Sequence, residues 1–127
     1  MTAQVIHVRE MFKFPNAVYI GREYRHRGHD FAESPLRNPF TMSKGVTRAD
    51  VIADYGRLVD SLFELAGTGS ASGIEFVNAL IAARNKPLAC WCRKSTAAKP
   101  ECHGDVVLEI LDRYSDDELR AMIGPRP

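Results

Sequence analysis

The run Leu88-Ala89-Cys90-Trp91-Cys92 constrains this chain more than any other segment. It is short, apolar and free of charge, and it sits between Pro87 and the polar stretch 93–101, a setting that predicts a buried strand. Two further β-like runs open the chain. Residues 4–8 carry the apolar Val5, Ile6 and Val8, and residues 17–20 stop at Gly21. Phe14-Pro15-Asn16 between them reads as a turn.

Helical patterns fill the space between these strands and follow the last one. Thr47 and Asp50 make a capping-box pattern ahead of Val51, Ile52, Tyr55, Leu58, Val59, Leu62 and Phe63, so a helix is expected to run to near Gly67. Ser72 and Glu75 repeat the pattern before Ile74, Val77, Leu80 and Ile81, predicting a second helix that stops near Asn85. A third helix is expected from His103, with Val106, Val107, Ile110, Leu111 and Tyr114 on one face. A fourth opens at Ser115, takes Glu118 as its capping partner and ends at Gly124 before Pro125. Strands, two helices, a strand and two helices predict an α/β fold: a small single-domain sheet flanked by helices, in a Rossmann-like layered architecture rather than a helix bundle. Residues 21–46 and 93–101 show no sustained period and are expected to be irregular, and loops this long are uncommon in a compact domain unless they are functional or disordered.

A length of 127 residues fits one domain, and 45% hydrophobic with 26% charged residues excludes a disordered chain. Lys and Arg number 17 against 16 Asp and Glu, and the resulting net charge of +1 disfavours a polycation that coats nucleic acid. No apolar run reaches the ~20 residues that span a bilayer. Residues 1–11 also lack the basic start and apolar stretch of a secretory signal, so no membrane partner and a cytoplasmic location are expected.

Chemistry concentrates at three cysteines, too few and too clustered for a disulfide scaffold. Residues two apart on a strand face the same side, so Cys90 and Cys92 present their sulfurs together if the strand reaches that far. Cys102 and His103 then open a helix. Three thiolates and an imidazole make a closed tetrahedral set for zinc, which gives Cys90, Cys92, Cys102 and His103 as candidate metal ligands. Two other readings stand beside this one. Cys90 and Cys92 also suit small core positions, a common role for free cysteine. Cys102, at a helix N-terminus behind a segment carrying Arg84, Lys86, Arg93, Lys94 and Lys99, is also a candidate catalytic nucleophile or redox centre.

In layered α/β sheets ligands collect at the carboxyl ends of strands, where the loop after Ile20 and the cysteine loop both begin. Arg22 directly follows a strand and Gly21, the best place for an anion contact. Ser34-Pro35-Leu36-Arg37-Asn38-Pro39-Phe40 holds two prolines that fix the backbone. Asn38 is therefore a candidate to read a polar ligand edge, with Phe40 stacked on it or packed beneath. The same segment also works as a structural turn with Phe40 in the core. Asp105 either orients His103 and contacts ligand or serves as a first-turn carboxylate favoured by the helix dipole.

With Val18-Tyr19-Ile20-Gly21-Arg22, the proline turn, Leu88-Ala89-Cys90-Trp91-Cys92 and Cys102-His103-Gly104-Asp105 in this order, the chain resembles the bacterial and phage family catalogued as domain of unknown function 4326. The resemblance runs over residues 18–114. It implies a small single-domain protein without an established activity, and it marks Gly21, Arg22, Asn38, Pro39, Phe40, Cys90, Trp91, Cys92, Cys102, His103 and Asp105 as the pattern positions. Two classes of function stay open. One is a binding or catalytic domain for a nucleotide or another phosphorylated small molecule, held by Arg22, Asn38, Phe40 and Asp105. The other is a non-enzymatic accessory module in which zinc staples the loops and the surface contacts a protein or nucleic acid. An open cleft shared by Arg22, Asn38 and Cys102 favours the first, and a buried metal sphere favours the second.

Overall fold

The uncharged run becomes the middle strand of a parallel sheet, and the rest of the fold is arranged around it. The computed structural model describes residues 4–26, 29–40, 44–91 and 102–125. In chain order the elements are β1 (Val5–His7), a 3-10 helix (Val8–Lys13), β2 (Val18–Tyr19), β3 (Tyr24–His26), β4 (His29–Phe31), α1 (Arg48–Gly67), α2 (Ala71–Ala83), β5 (Leu88–Cys90), α3 (His103–Arg113) and α4 (Asp116–Ala121). The sheet order is β1-β5-β2, with Val5, Ile6 and His7 opposite Leu88, Ala89 and Cys90, and Val18 and Tyr19 opposite Leu88 and Ala89. β1 and β2 thus flank a slot that β5 fills. Ladder bonds on both edges of β5 leave no place for proline, and burial of all three of its side chains leaves none for a charge.

Side chains alternate across β5. Leu88 and Cys90 enter the main core, where Ile20 and Leu36 meet Tyr55 and Val59 of α1, Phe76 and Leu80 of α2, Val107 and Leu111 of α3, and Leu119 of α4. Ala89 faces the other way, into a smaller core with Ile6 and Val8 that Trp91, Tyr19 and Phe31 cover. All four helices contribute to the first core, while the 3-10 helix and the β3–β4 hairpin lie over the second. The molecule is therefore a small α/β domain whose second face is covered by a hairpin and a short turn of helix.

Helix starts follow the chemistry of their caps. Thr47 with Asp50 and Ser115 with Glu118 both close reciprocal capping boxes, as their spacing predicts. The box expected at Ser72 does not form. α2 begins earlier, with Ser70 as an N-cap whose side chain makes no capping bond, because Gly73 must lie flush against α1. A Cβ on Gly73 would stand 2.2 Å from the Ala66 nitrogen and 2.6 Å from the Leu62 oxygen. α2 also ends sooner than expected, at Ala83, and Asn85 turns the chain with a φ of 62° into β5. α4 stops at Ala121, short of Gly124, whose nitrogen instead donates to the Ala66 oxygen at 2.8 Å.

Residues 21–46 are not irregular throughout. Tyr24, Arg25 and His26 pair antiparallel with Phe31, Asp30 and His29. The strands are too short and too charged to show a period of two, and aromatic contacts stabilise them instead. Tyr19 stacks on Phe31 with centroids 4.5 Å apart, and Tyr24 lies against Trp91 at the same distance. The Trp91 indole nitrogen donates to the Tyr19 hydroxyl at 3.0 Å, and that hydroxyl donates to the Arg22 carbonyl at 2.6 Å. The expected irregular loop 93–101 lies outside the described residues.

Candidate metal centre

Two elements meet at one point: β5 ends there and α3 begins there. β5 stops at Cys90, Cys102 is the N-cap of α3, and His103 is the first helical residue. α3 reaches this point because Gly104 carries no side chain: a Cβ there would meet the Val5 side chain at 2.7 Å and that of Ile20 at 3.1 Å. The helix start is closed by the Cys102 sulfur, which accepts the Gly104 N–H at 3.3 Å, and by Asp105, whose carboxylate accepts the Cys102 N–H at 3.3 Å. A thiol thus takes the place usually held by serine or threonine.

The cluster is out of solvent, with Cys90 2%, Cys102 1% and His103 5% exposed. The two sulfurs are 2.8 Å apart, and the His103 Nδ1 is 3.7 Å from Cys102 Sγ and 4.0 Å from Cys90 Sγ. On its far side, His103 Nε2 lies 2.7 Å from the Ile20 carbonyl oxygen. A carbonyl only accepts, so Nε2 carries the proton, and in the neutral ring Nδ1 is an acceptor turned to both sulfurs. The Tyr55 ring packs edge-on against the imidazole at 5.0 Å, and its hydroxyl donates to the Leu36 carbonyl at 2.7 Å. Burial, with the neighbouring Cys102 and Cys90 adding to it, pushes the Tyr55 phenol far above its ordinary range.

These three residues suit a metal ion. Their ligand atoms all lie within 4.8 Å of one another. A lone pair aimed inward, with the other ring nitrogen fixed by a carbonyl, is how proteins orient a metal-binding imidazole. The sulfur–nitrogen separations of 3.7 and 4.0 Å approach the ~3.5 Å edge of a zinc tetrahedron. The sulfurs sit about 1 Å inside the corresponding ~3.8 Å edge, so they part to admit an ion. Cys92, the fourth candidate ligand, lies outside the described residues. β5 ends before it, and Trp91 already lies in a bend.

Of the other sequence candidates, Asp105 stands beside the cluster as the capping partner of Cys102, whereas Asn38 and Phe40 belong to the proline turn. Arg22 is exposed. The Asn38 amide donates to the Val51 carbonyl at 3.2 Å and accepts the Phe40 N–H at 2.9 Å, which ties the proline turn to α1. Phe40 is 39% exposed rather than packed in the core. Arg84, counted among the basic neighbours of the cysteines, reaches the other end of α3. There its guanidinium bonds the Leu111 carbonyl at 2.8 Å, the Tyr114 carbonyl and the Asp116 carboxylate at 2.5 Å. A hollow of about 350 Å3 beside the hairpin is lined by Tyr19 and Phe31 together with Asp30 and Glu33, carboxylates that are paired with Arg25 and Arg37. Sequence reasoning missed Ile20 and Tyr55 as partners of His103. The signal for Tyr55 is its hydroxyl on an apolar helix face, which demands a buried acceptor. The Ile20 carbonyl has no sequence signature.

Fold and cluster together define a small α/β domain with a buried Cys/His centre at the carboxyl end of its middle strand. The chain belongs to the family described as Domain of unknown function (DUF4326), whose model matches residues 3–113. No curated protein and no solved structure matches it. Among the described residues, no helix is long and apolar enough to cross a membrane.

Proposed function

We propose that the protein is a non-enzymatic module whose Cys90, Cys102 and His103 hold a structural zinc ion, with Cys92 as the fourth ligand. The observation that carries this reading is the orientation of His103, with Nε2 held by Ile20 and Nδ1 facing two buried sulfurs. Zinc is favoured over harder cations because thiolate and imidazole donors suit it, and burial of the set suits a closed sphere rather than a catalytic one with an open position. The ion would cross-link β5, the start of α3 and, through His103, the end of β2, and so add its binding free energy to that of folding. Nucleotide binding finds less support, because the Asn38 amide is already bonded to Val51 and Phe40 and Cys102 is buried.

Elemental analysis of the purified full-length protein tests the reading. The expected result is stoichiometric zinc, with a lower melting temperature in strong chelator. Substoichiometric metal and unchanged stability in chelator would refute it.

A further inference from the structure

We propose that Cys90 and Cys102 form a peroxide-sensitive dithiol site, in which oxidation closes a disulfide between the end of β5 and the N-cap of α3. The accompanying release of a metal ion rests on the zinc reading, whereas closure of the disulfide does not.

The argument is geometric. At 2.8 Å the sulfurs are nearer to the ~2.05 Å of a disulfide than to the ~3.8 Å edge of a zinc tetrahedron. Less than ~1 Å of approach forms the bond, and a similar parting admits the ion. Cys90 is the last residue of β5, opposite His7, and Cys102 is the N-cap of α3, so neither movement disturbs a helix interior or the middle of the strand ladder. Cys102 is the attacking sulfur, because it accepts the Gly104 N–H at the helix N-terminus. Both side chains are nearly sealed from solvent, which disfavours bulky reagents and leaves hydrogen peroxide, a molecule little larger than water, as the fitting oxidant.

The chemistry balances in two steps. Cys102 Sγ attacks one peroxide oxygen and the O–O bond breaks. Cys102 becomes a sulfenic acid, and the departing hydroxide leaves as water with the thiol proton. Cys90 Sγ then attacks Cys102 Sγ, the S–O bond breaks, and a second water leaves with the Cys90 proton. Two thiols lose two electrons and two protons, and one peroxide becomes two waters. Sulfurs joined in this way no longer serve as thiolate ligands, and of the three clustered residues only His103 keeps its donor.

Full-length protein, as purified and after chelation, is treated with hydrogen peroxide. Remaining thiols are then blocked in denaturant, and the protein is digested without reductant for fragment-ion mass spectrometry. The expected product is the Cys90 peptide joined to the Cys102 peptide, lighter by two hydrogens, with metal released from the loaded form in step with the bond. Fragment ions from the unmodified sequence distinguish Cys90 from Cys92, and Cys92→Ser should keep the bond where that variant folds. Assignment of the bond to Cys92, or recovery of Cys90 and Cys102 as separately blocked thiols or as unlinked sulfinic acids, overturns the proposal. A link in protein that carries no metal as purified would sink the zinc reading alone. Bound metal without a link in either form would sink this proposal alone.

Discussion

Replacing His103 with alanine separates what the imidazole does for packing from what it does for a metal. Without metal, His103→Ala removes a buried bond to the Ile20 carbonyl and a ring that fills space against Tyr55. An acceptor left buried without its donor costs about 1–3 kcal/mol, and the cavity adds to it, so a total of about 3 kcal/mol is expected. At ~4 °C per kcal/mol for a chain of this length, the metal-free melting temperature falls by about 12 °C. With free zinc at ~100 times its dissociation constant, binding adds ~2.7 kcal/mol to the unmutated protein, and chelation should lower its melting temperature by about 11 °C. Loss of one ligand that weakens affinity ~100-fold leaves only ~0.4 kcal/mol of that gain, a chelator response of about 2 °C. Scanning calorimetry with and without chelator gives both differences. His103→Gln, which keeps an amide donor for the Ile20 carbonyl but offers no imidazole nitrogen, should recover part of the metal-free loss and none of the chelator response. Survival of the full chelator shift in His103→Ala would refute the assignment of Nδ1 as a ligand.

Tyr55 should set an alkaline limit: the fold holds its phenol neutral, so its contribution is intact below the ordinary tyrosine value of 10.0 and lost as pH rises above it. Unfolding midpoints measured on either side of that value should fall with pH, and Tyr55→Phe should flatten the fall while costing about 1–2 kcal/mol at neutral pH. Arg84→Ala should destabilise by about 2–3 kcal/mol in urea titration, because it removes three bonds that tie α2 to the α3–α4 corner. Arg84→Lys should recover only a fraction, since an ammonium cannot fork across those acceptors. Gly73→Ala should lower stability by about 3 kcal/mol, because its new methyl meets backbone atoms of α1 that no rotamer change can clear.

Much of the fold was legible because periodicity and caps are local. The uncharged run at 88–90, the apolar stripe of α1 and the capping boxes at Thr47 and Ser115 each declare an element within a few residues. The hairpin was not legible, since what stabilises it is Trp91, far away in the chain. The start of α2 was misread at Ser72 because the close approach of Gly73 to α1 outweighs a favourable cap. At the site, the spacing of Cys90, Cys102 and His103 pointed to a cluster, and the structure brings these three together. The same reading gave Arg84 an electrostatic role near the cysteines, whereas tertiary contacts commit it to the far end of α3. Nothing local could have supplied the Ile20 carbonyl that orients the imidazole.

The slot between β1 and β2 has a consequence for how the molecule comes into being. During synthesis both outer strands leave the ribosome long before the strand that joins them, and neither has the other as a ladder partner. Until residue 90 emerges, two short strands present unpaired edges while α1 and α2 are already able to fold on each other. Closing the sheet then requires contact across more than half of the chain in sequence, an entropic barrier that places sheet assembly late. The same event that completes the sheet delivers Cys90, so Cys90 meets Cys102 and His103 only after the domain has sorted its strands into order.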